Sequence, residues 1–109
     1  MPTEDTKRSL HARLVERILR GAGQAPVDQR AAAFEQSDLP EALRPLLHKV
    51  ATNSAQVDDA DFALARRAGW SEDQLFELVV CAAVGEATRQ YTTGLTALAA
   101  ATAEEPERS

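Results

Sequence analysis

The sequence predicts an all-α fold, and three observations lead to this prediction. Apolar residues recur at steps of three and four along most of the chain, which places them on one face of a helix. Glycines and capping residues mark the ends of these periodic segments. No segment alternates apolar and polar residues as a half-buried strand does, and no Asn-Gly dipeptide offers a hairpin turn. A chain of 109 residues has the length of a single domain.

Two helices are predicted in the first third of the chain. The first has Ser9 as its cap and ends at Gly21–Gly23, and the polar residues 1–8 are predicted to be flexible. Its apolar stripe consists of Leu10, Leu14, Val15, Ile18 and Leu19. The second helix is short and has Pro26 in its first turn. Its predicted inner face carries Val27, Ala31 and Phe34.

Two further helices are predicted in the middle of the chain. One has Ser37 or Asp38 as its cap and Pro40 in its first turn. Its inner face consists of Leu39, Leu43, Leu46, Leu47 and Val50. The next begins at Asp58, whose carboxylate can cap free N–H groups, and ends at Gly69. Its inward-facing residues are predicted to be Phe62, Ala65 and Ala68.

The last predicted helix is the longest and should be the central element. It follows a capping box at Ser71–Gln74, with Trp70 packing on Leu75. The run "LFELVVCAAVG" is apolar almost all round, which predicts burial on every side. Its later inner face is Ala87, Tyr91, Leu95 and Leu98, and its glycines, Gly85 and Gly94, predict close helix contacts. The domain is therefore predicted to span residues 9–103, followed by a disordered tail at 104–109.

The composition favours a protein that assembles with copies of itself. Apolar residues make up 44% of the chain but aromatic residues only 5%. Alanine supplies much of the difference, and it buries little area per residue. The twelve basic side chains are outnumbered by seventeen acidic ones, which argues against nucleic-acid binding.

The sequence also limits the cellular location. Its single cysteine, Cys81, excludes a disulfide within the chain. No run approaches the ~20 apolar residues of a membrane span, and residues 1–9 lack the apolar core of a signal peptide. We therefore predict a cytoplasmic protein without a membrane partner.

The segment "ARRAGWSEDQLFELVVCAAVGEATRQYTTGLTAL" resembles the AhpD-like superfamily, which includes the carboxymuconolactone decarboxylases. The resemblance lies in Arg66–Gly69 at a helix end, the cap at Ser71–Gln74, and Glu77 early in a long Ala-rich helix. It covers roughly residues 40–100. It implies a helical bundle with a helical hairpin and a long central helix, assembled as a trimer or hexamer.

The redox members of that superfamily carry a C-x-x-C-x-x-x-H motif, which this chain lacks. Counting back from Gly69, Ser54, Val57 and Asp61 stand at the two cysteine positions and the histidine position, and Ala42 stands at or near an upstream glutamate. A dithiol peroxidase needs one thiolate to attack the peroxide and a second thiol to resolve the product. We therefore predict no dithiol peroxidase activity. The decarboxylase relatives do without the cysteine pair, so an enzyme stays open as an alternative.

Candidate catalytic residues lie on the two longest apolar segments. Glu77, Cys81 and Gly85 are four residues apart and share one helix face. The glutamate would raise the pKa of the thiol, and a purely structural pair is the alternative interpretation. His48 is a candidate general base if its helix packs beside Glu77.

Two more groups of polar residues have alternative interpretations. The candidate binding residues are Glu86, Arg89 and Tyr91, of which Glu86 and Arg89 are also spaced to pair with each other. The three acids Asp58, Asp59 and Asp61 suggest a metal site, but they lack the glycine and distal glutamate of a calcium loop. Helix capping is the preferred interpretation, and we predict neither a metal nor a cofactor.

The sequence thus predicts a non-redox AhpD-like oligomer that serves as a binding or accessory module for a small molecule or a protein partner. The alternatives are a decarboxylase-like lyase using Glu77, His48 or Arg89 on a small carboxylated lactone, and a single-cysteine peroxide-handling protein using Cys81. A third class, which the sequence favours least, would bind a nucleic acid or a regulatory partner through the basic first helix. Residues 1–20 carry a net charge of +2 and residues 72–109 a net charge of −5, an asymmetry that favours pairing of unlike ends between subunits.

Overall fold

The computed structural model describes residues 4–103, and these residues form five α-helices and one 3₁₀ turn without any strand. The helices are α1 (Glu4–Arg20), α2 (Val27–Glu35), α3 (Arg44–Thr52), α4 (Asp59–Arg67) and α5 (Glu72–Ala103), and the 3₁₀ turn spans Ser54–Gln56. The predicted all-α class is confirmed for this part of the chain. Among these helices, none combines the length and the apolar character needed to cross a bilayer.

Helix α5 is the axis of the molecule, and the core surrounds its first half. It has 32 residues, which corresponds to a length of about 48 Å. Helices α2 and α3 supply most of the packing against it. The core cluster consists of Ala25, Ala33, Leu39, Leu43, Leu46, Leu47, Ala65, Leu75, Leu78, Cys81 and Ala82.

Helix α1 runs antiparallel to α5. The N–H of Gln24, just after α1, donates to Glu77, the Ile18 carbonyl lies beside the Cys81 sulfur, and His11 is hydrogen-bonded to Thr88. Residue numbers therefore decrease along α1 in the direction in which they increase along α5. From residue 90 onward every α5 residue is exposed except Leu95, which is half-buried. The molecule therefore measures 63 × 28 × 23 Å, with its core toward the start of α5.

Local capping residues set the starts of α4 and α5, as predicted. The Asp61 N–H donates to the Asp58 carboxylate at 3.2 Å, and the Asp58 N–H donates to the Asp61 carboxylate at 3.0 Å. At α5, Ser71 and Gln74 exchange the equivalent bonds at 2.9 and 3.1 Å. Between the two helices Gly69 has a φ of +107°, a conformation that favours glycine. The half-buried Trp70 packs against the core cluster that contains Leu75.

The predicted start of the first helix is wrong. Helix α1 begins at Glu4 rather than after Ser9. The residues "EDTKR" contain no proline or glycine, so nothing in them stops a helix before Ser9. Residues 4–8 of the segment predicted to be flexible thus belong to α1. Residues 1–3 and the predicted disordered tail 104–109 lie outside the described residues.

The predicted start of the third helix is also wrong. Pro40–Leu43 forms one separate turn, with the Leu43 N–H on the Pro40 carbonyl at 3.0 Å, and α3 begins only at Arg44. Pro45 explains the break, because proline has no N–H to donate to the carbonyl four residues earlier and its ring crowds that carbonyl. Neither Ser37 nor Asp38 caps the helix, since Leu43 precedes it.

Several residues predicted to face inward are exposed. On α2, Arg30 and Ala33 take the buried positions while Val27 lies outside, and on α4, Asp61 and Ala65 are buried while Phe62 and Ala68 are exposed. On α5 the side chain of Phe76 is 70% exposed, and Tyr91 and Leu98 are exposed too. Four short helices cover only part of the long α5, so its apolar residues on the remaining sides stay in contact with solvent.

Candidate functional site

The candidate residue Glu77 is bound to the loop between α1 and α2. One carboxylate oxygen accepts from the N–H groups of Gln24 at 2.9 Å and Ala25 at 2.8 Å, and the other accepts from Gln24 at 2.8 Å. These bonds stabilise the charged form, so the pKa of Glu77 is lowered, chiefly by the Ala25 and Gln24 N–H groups and less by Arg30. Glu77 is therefore an anion that anchors the loop.

Arg30 is a buried polar residue that the sequence interpretation missed. It is 5% exposed and donates to three carbonyls, those of Ala25 at 3.0 Å, Ile18 at 3.2 Å and Gly21 at 2.7 Å. It thereby satisfies carbonyls at the end of α1 that lack partners within that helix. The sequence did indicate that such a residue is needed, because the carbonyl groups at the helix end near Gly21–Gly23 require hydrogen-bond donors from elsewhere in the chain.

Cys81 is buried beside the same loop. Its sulfur lies 3.9 Å from the Ile18 carbonyl oxygen. The pKa of the thiol is raised to about 11, chiefly by burial; Arg30 opposes this shift, and Glu77 adds a smaller rise. The thiol is thus protonated at neutral pH, which agrees with the structural interpretation of the Glu77–Cys81 pair.

The predicted pairing of Glu86 with Arg89 is confirmed. Two nitrogens of Arg89 donate to the Glu86 carboxylate, at 3.1 and 3.3 Å, and the third donates to the Phe34 carbonyl at 2.7 Å near the end of α2. The pKa of Glu86 is lowered by hydrogen bonds from Gln90 and then from Arg89. A shallow depression of about 380 Å³ beside this pair is lined by Glu86, Arg89, Gln90, Thr93 and Gly94. The third candidate binding residue, Tyr91, instead has its ring 5.8 Å from that of His11 on α1.

His48 is exposed on α3 and lies in a different place from the other candidates. It lines an open depression of about 410 Å³ with Glu41, Arg44 and Pro45. The depression beside Glu77 is another one, of about 170 Å³, between the end of α1 and α5. His48, Glu77 and Arg89 thus line three separate depressions, and no single cavity collects them.

The positions predicted to correspond to the redox motif lie in the turn before α4 and in the first turn of that helix. Ser54 opens the 3₁₀ turn and Val57 follows it. Asp61 is buried and accepts from the Lys49 ammonium group at 3.0 and 3.1 Å as well as from the Asp58 N–H. The Asp58 N–H first and Lys49 second lower the pKa of Asp61.

The capping interpretation of Asp58 and Asp61 is therefore confirmed. Their carboxylates serve the first turn of α4, and Asp59 lies in that same turn. Across residues 4–103, no group of three or more histidine, cysteine, aspartate or glutamate side chains is arranged to hold a metal ion.

An apolar groove lies between α4 and the first turns of α5, and we call it the α4–α5 groove. It has a volume of about 420 Å³. Its lining is Phe62, Leu75, Phe76 and Val79, with Asp59, Arg66 and Glu72 at the rim. Arg66 and Glu72 pair across that rim at 3.4 Å. Concave, mostly apolar surfaces of this size with a few polar groups are typical of binding sites.

The groove was not predicted from the sequence, because Phe62 and Phe76 were both predicted to be buried. The available signal is the run "LFELVVCAAVG", whose apolar residues point to all sides of α5. A chain of this length has too few helices to cover them all.

Comparison with known proteins assigns no family to this chain. No family model matches the sequence, and neither the curated proteins nor the solved structures contain a match. Inferences about its function therefore rest on its own residues and their geometry.

Proposed function

We propose that this chain is an AhpD-like helical module that binds through the α4–α5 groove, works as an oligomer, and has no dithiol peroxidase activity. The observation that carries the proposal is Phe76, which is 70% exposed at the mouth of a groove of about 420 Å³. Exposed aromatic side chains beside a concave apolar surface favour association with an apolar group. That group is either a small apolar molecule or an apolar side chain of a protein partner.

The contacts of the candidate catalytic residues support a binding role. Glu77 is bound to the α1–α2 loop, Cys81 is buried against the Ile18 carbonyl, and Arg89 is bound to Glu86 and the Phe34 carbonyl. Each of these groups already has a structural partner inside the chain. The groove residues, in contrast, leave apolar surface open to solvent.

A fluorescent apolar probe tests the groove. We expect anilinonaphthalene sulfonate to bind the protein, and the Phe76→Ser variant to bind it at least about tenfold more weakly, because much of the contact surface is lost. The fold should be retained, since exposed side chains contribute little to stability. Fluorescence titration measures the affinity, and circular dichroism checks the helix content.

Leu98→Ser is the matched control for this titration. Leu98 is also an exposed apolar residue of α5, but it lies outside the groove. Its variant should bind the probe as the wild type does. Equal weakening in both variants, or no weakening in Phe76→Ser, would show that the groove is not the binding site.

A peroxidase assay tests the second half of the proposal. With an organic hydroperoxide and a dithiol reductant, we expect no turnover above the buffer rate, because the motif positions hold Ser54, Val57 and Asp61. Turnover by the wild type that is lost in a Cys81→Ser variant would overturn this half of the proposal, since that variant has no thiol at all.

A further inference from the structure

Helix α1 presents an outer face that nothing in the described chain covers. Leu10 is 54% exposed and Leu14, one turn later, is 50% exposed. Arg13 and Arg17 are each three residues after one of these leucines, so they lie on the same face, and both are exposed. The face therefore combines two apolar anchors with two positive charges.

The α4–α5 groove has the complementary character. Phe62, Leu75, Phe76 and Val79 supply an apolar lining, and the rim carries Asp59 together with Glu72 and Arg66, which pair at 3.4 Å. Residues 58–73 carry five acidic and two basic side chains, and Asp61 is the acid that Lys49 already neutralises. The other four acids and the two arginines are all exposed, so this region of the surface has a net charge of −2.

The two leucines of the α1 face lie away from the groove of their own chain, whereas Arg17 lines a small depression together with Phe76. His11 bonds Thr88 and Ile18 lies beside Cys81, so Leu10 is near Thr88 and Leu14 lies between these two contacts. Phe76 is twelve residues before Thr88 on α5, a separation of about 18 Å along the helix from the Leu10 end of the face. Insertion of both leucines into the groove thus requires a second molecule.

We propose that the occupant of the α4–α5 groove is helix α1 of a second copy of this chain. Leu10 and Leu14 insert beside Phe62 and Phe76, and Arg13 and Arg17 meet the acids around the groove. An amphipathic helix that binds a groove through residues four apart is a common mode of recognition. This inference rests on the proposed function, since it takes the groove as the binding site and names its partner.

The two surfaces differ, so the contact joins unlike faces of successive copies. Such a contact gives a closed ring when the rotation between copies closes, and an open chain when it does not. Each copy then contributes one α1 face and one groove. Such an assembly can be tested by substituting residues of the α1 face in one chain and residues of the α4–α5 groove in another.

Complementation between two variants is the test. Light scattering after gel filtration should give the wild type a mass of several times 11.8 kDa. Leu10→Ser/Leu14→Ser removes the α1 anchors and Phe76→Ser damages the groove, so each variant alone should have the mass of one chain. Mixed together they should form a complex of two chains and no larger species, because only one intact α1 face and one intact groove remain.

Two further variants control for unfolding and for charge. Leu98→Ser changes an exposed apolar residue outside both surfaces and should keep the wild-type mass. Arg13→Glu/Arg17→Glu leaves the leucines in place and should raise the concentration at which half of the chains are assembled by at least about tenfold. Circular dichroism establishes that each variant is helical before its mass is interpreted.

Each outcome decides for or against the inference. A wild type with the mass of one chain at all concentrations, or two variants that fail to complement each other while folded, would overturn it. Failure of the groove as a binding site would give a different result, since Phe76→Ser would then bind the fluorescent probe as the wild type does. If the inference is correct, probe binding by the wild type falls as the protein concentration rises, whereas the Leu10→Ser/Leu14→Ser variant shows no such fall.

Discussion

The carboxylate of Glu77 shows how one residue can fix a loop fifty residues away in the sequence. It accepts from the N–H groups of Gln24 and Ala25, and a Cβ at Gly23 would lie 2.7 Å from one of its oxygens. Gly23 therefore leaves the space that the carboxylate occupies. A change at either residue should loosen the connection between α1 and α2.

The contribution of Glu77 to stability should depend on pH. Its pKa in the folded protein is below the ordinary value of 4.5, so the folded state favours the charged form. The resulting stabilisation is fully present above pH 4.5 and is lost as the pH falls through the folded-state pKa. We expect Glu77→Gln to lower the free energy of unfolding by about 1 kcal/mol at neutral pH, because a charged acceptor in contact with solvent is lost.

Urea unfolding at neutral and at acidic pH measures this effect. The difference between Glu77→Gln and the wild type should shrink as the pH is lowered below 4.5, because the wild-type carboxyl becomes protonated as the pH passes through its lowered pKa. Glu41→Gln is the control, because Glu41 is an exposed carboxylate on the turn before α3. A difference that stays constant across this range would show that the charge of Glu77 does not stabilise the loop.

Cys81 should be unreactive in the folded protein. With a thiol pKa of about 11, only on the order of one molecule in a thousand carries a thiolate at pH 8, and the side chain is also buried. We expect an aromatic disulfide reagent to react at least about 100-fold more slowly with the native protein than with the urea-unfolded protein. Comparable rates in the two states would reopen a peroxide-handling role for Cys81.

Two glycines of α5 illustrate how different the environments along one helix can be. At Gly85 a Cβ would overlap the Phe34 carbonyl at the end of α2, which confirms the predicted close helix contact. At Gly94 no atom lies within 4 Å of the Cβ position, so the same prediction is wrong for the described chain. From the sequence alone, both glycines lie inside one predicted helix, and nothing distinguishes the glycine that contacts α2 from the glycine that does not.

Substitution of these glycines by alanine should have opposite effects on stability. Gly85→Ala should lower the free energy of unfolding by about 2 kcal/mol or more, because α2 must move away from α5. Gly94→Ala should raise it by roughly 0.5 kcal/mol, because alanine favours the helix and meets no neighbour. Thermal and urea unfolding of the two variants measure both changes, and a loss of stability in Gly94→Ala would contradict the open environment described here.

The elements that could be predicted from sequence are those with local causes. Asp58 and Ser71 cap helices through bonds to residues three positions away, so their roles follow from the sequence itself. Arg30 donates to the Ile18 carbonyl of α1, and Glu77 accepts from the Ala25 N–H of the loop before α2, so each has its partner outside its own helix. Their roles could not be predicted, because they depend on how α1 and α2 pack against α5.

At the scale of the whole molecule, the fold class was predictable but the exposed surface was not. Periodicity identified the succession of helices, whereas the exposure of Phe62 and Phe76 depends on how much of α5 the short helices cover. The candidate site changed accordingly. The polar residues singled out in the sequence are mostly engaged in structural contacts, and the groove is formed by side chains expected in the core.

The elongated shape predicts that the amides of α5 are less protected from hydrogen exchange toward the C-terminal end of the helix. Its first half carries the core residues Leu75, Leu78 and Ala82, whereas residues after Tyr91 are mostly exposed. In the Leu10→Ser/Leu14→Ser variant at low concentration, amides of residues 93–103 should exchange with solvent at least about 100-fold faster than those of residues 78–88. Mass spectrometry of peptides from α5 measures the gradient, and equal protection of both segments would contradict it.

The position of Asp61 sets a limit on protein engineering. On the proposed AhpD-like alignment, Asp61 corresponds to the histidine of the redox motif, and Ser54 and Val57 correspond to its two cysteines. A designer who introduced those three residues would remove the acid that closes the start of α4 and neutralises Lys49. Conversion of this frame to dithiol chemistry therefore requires a new partner for Lys49 and a new first turn for α4, in addition to the two sulfurs and the imidazole.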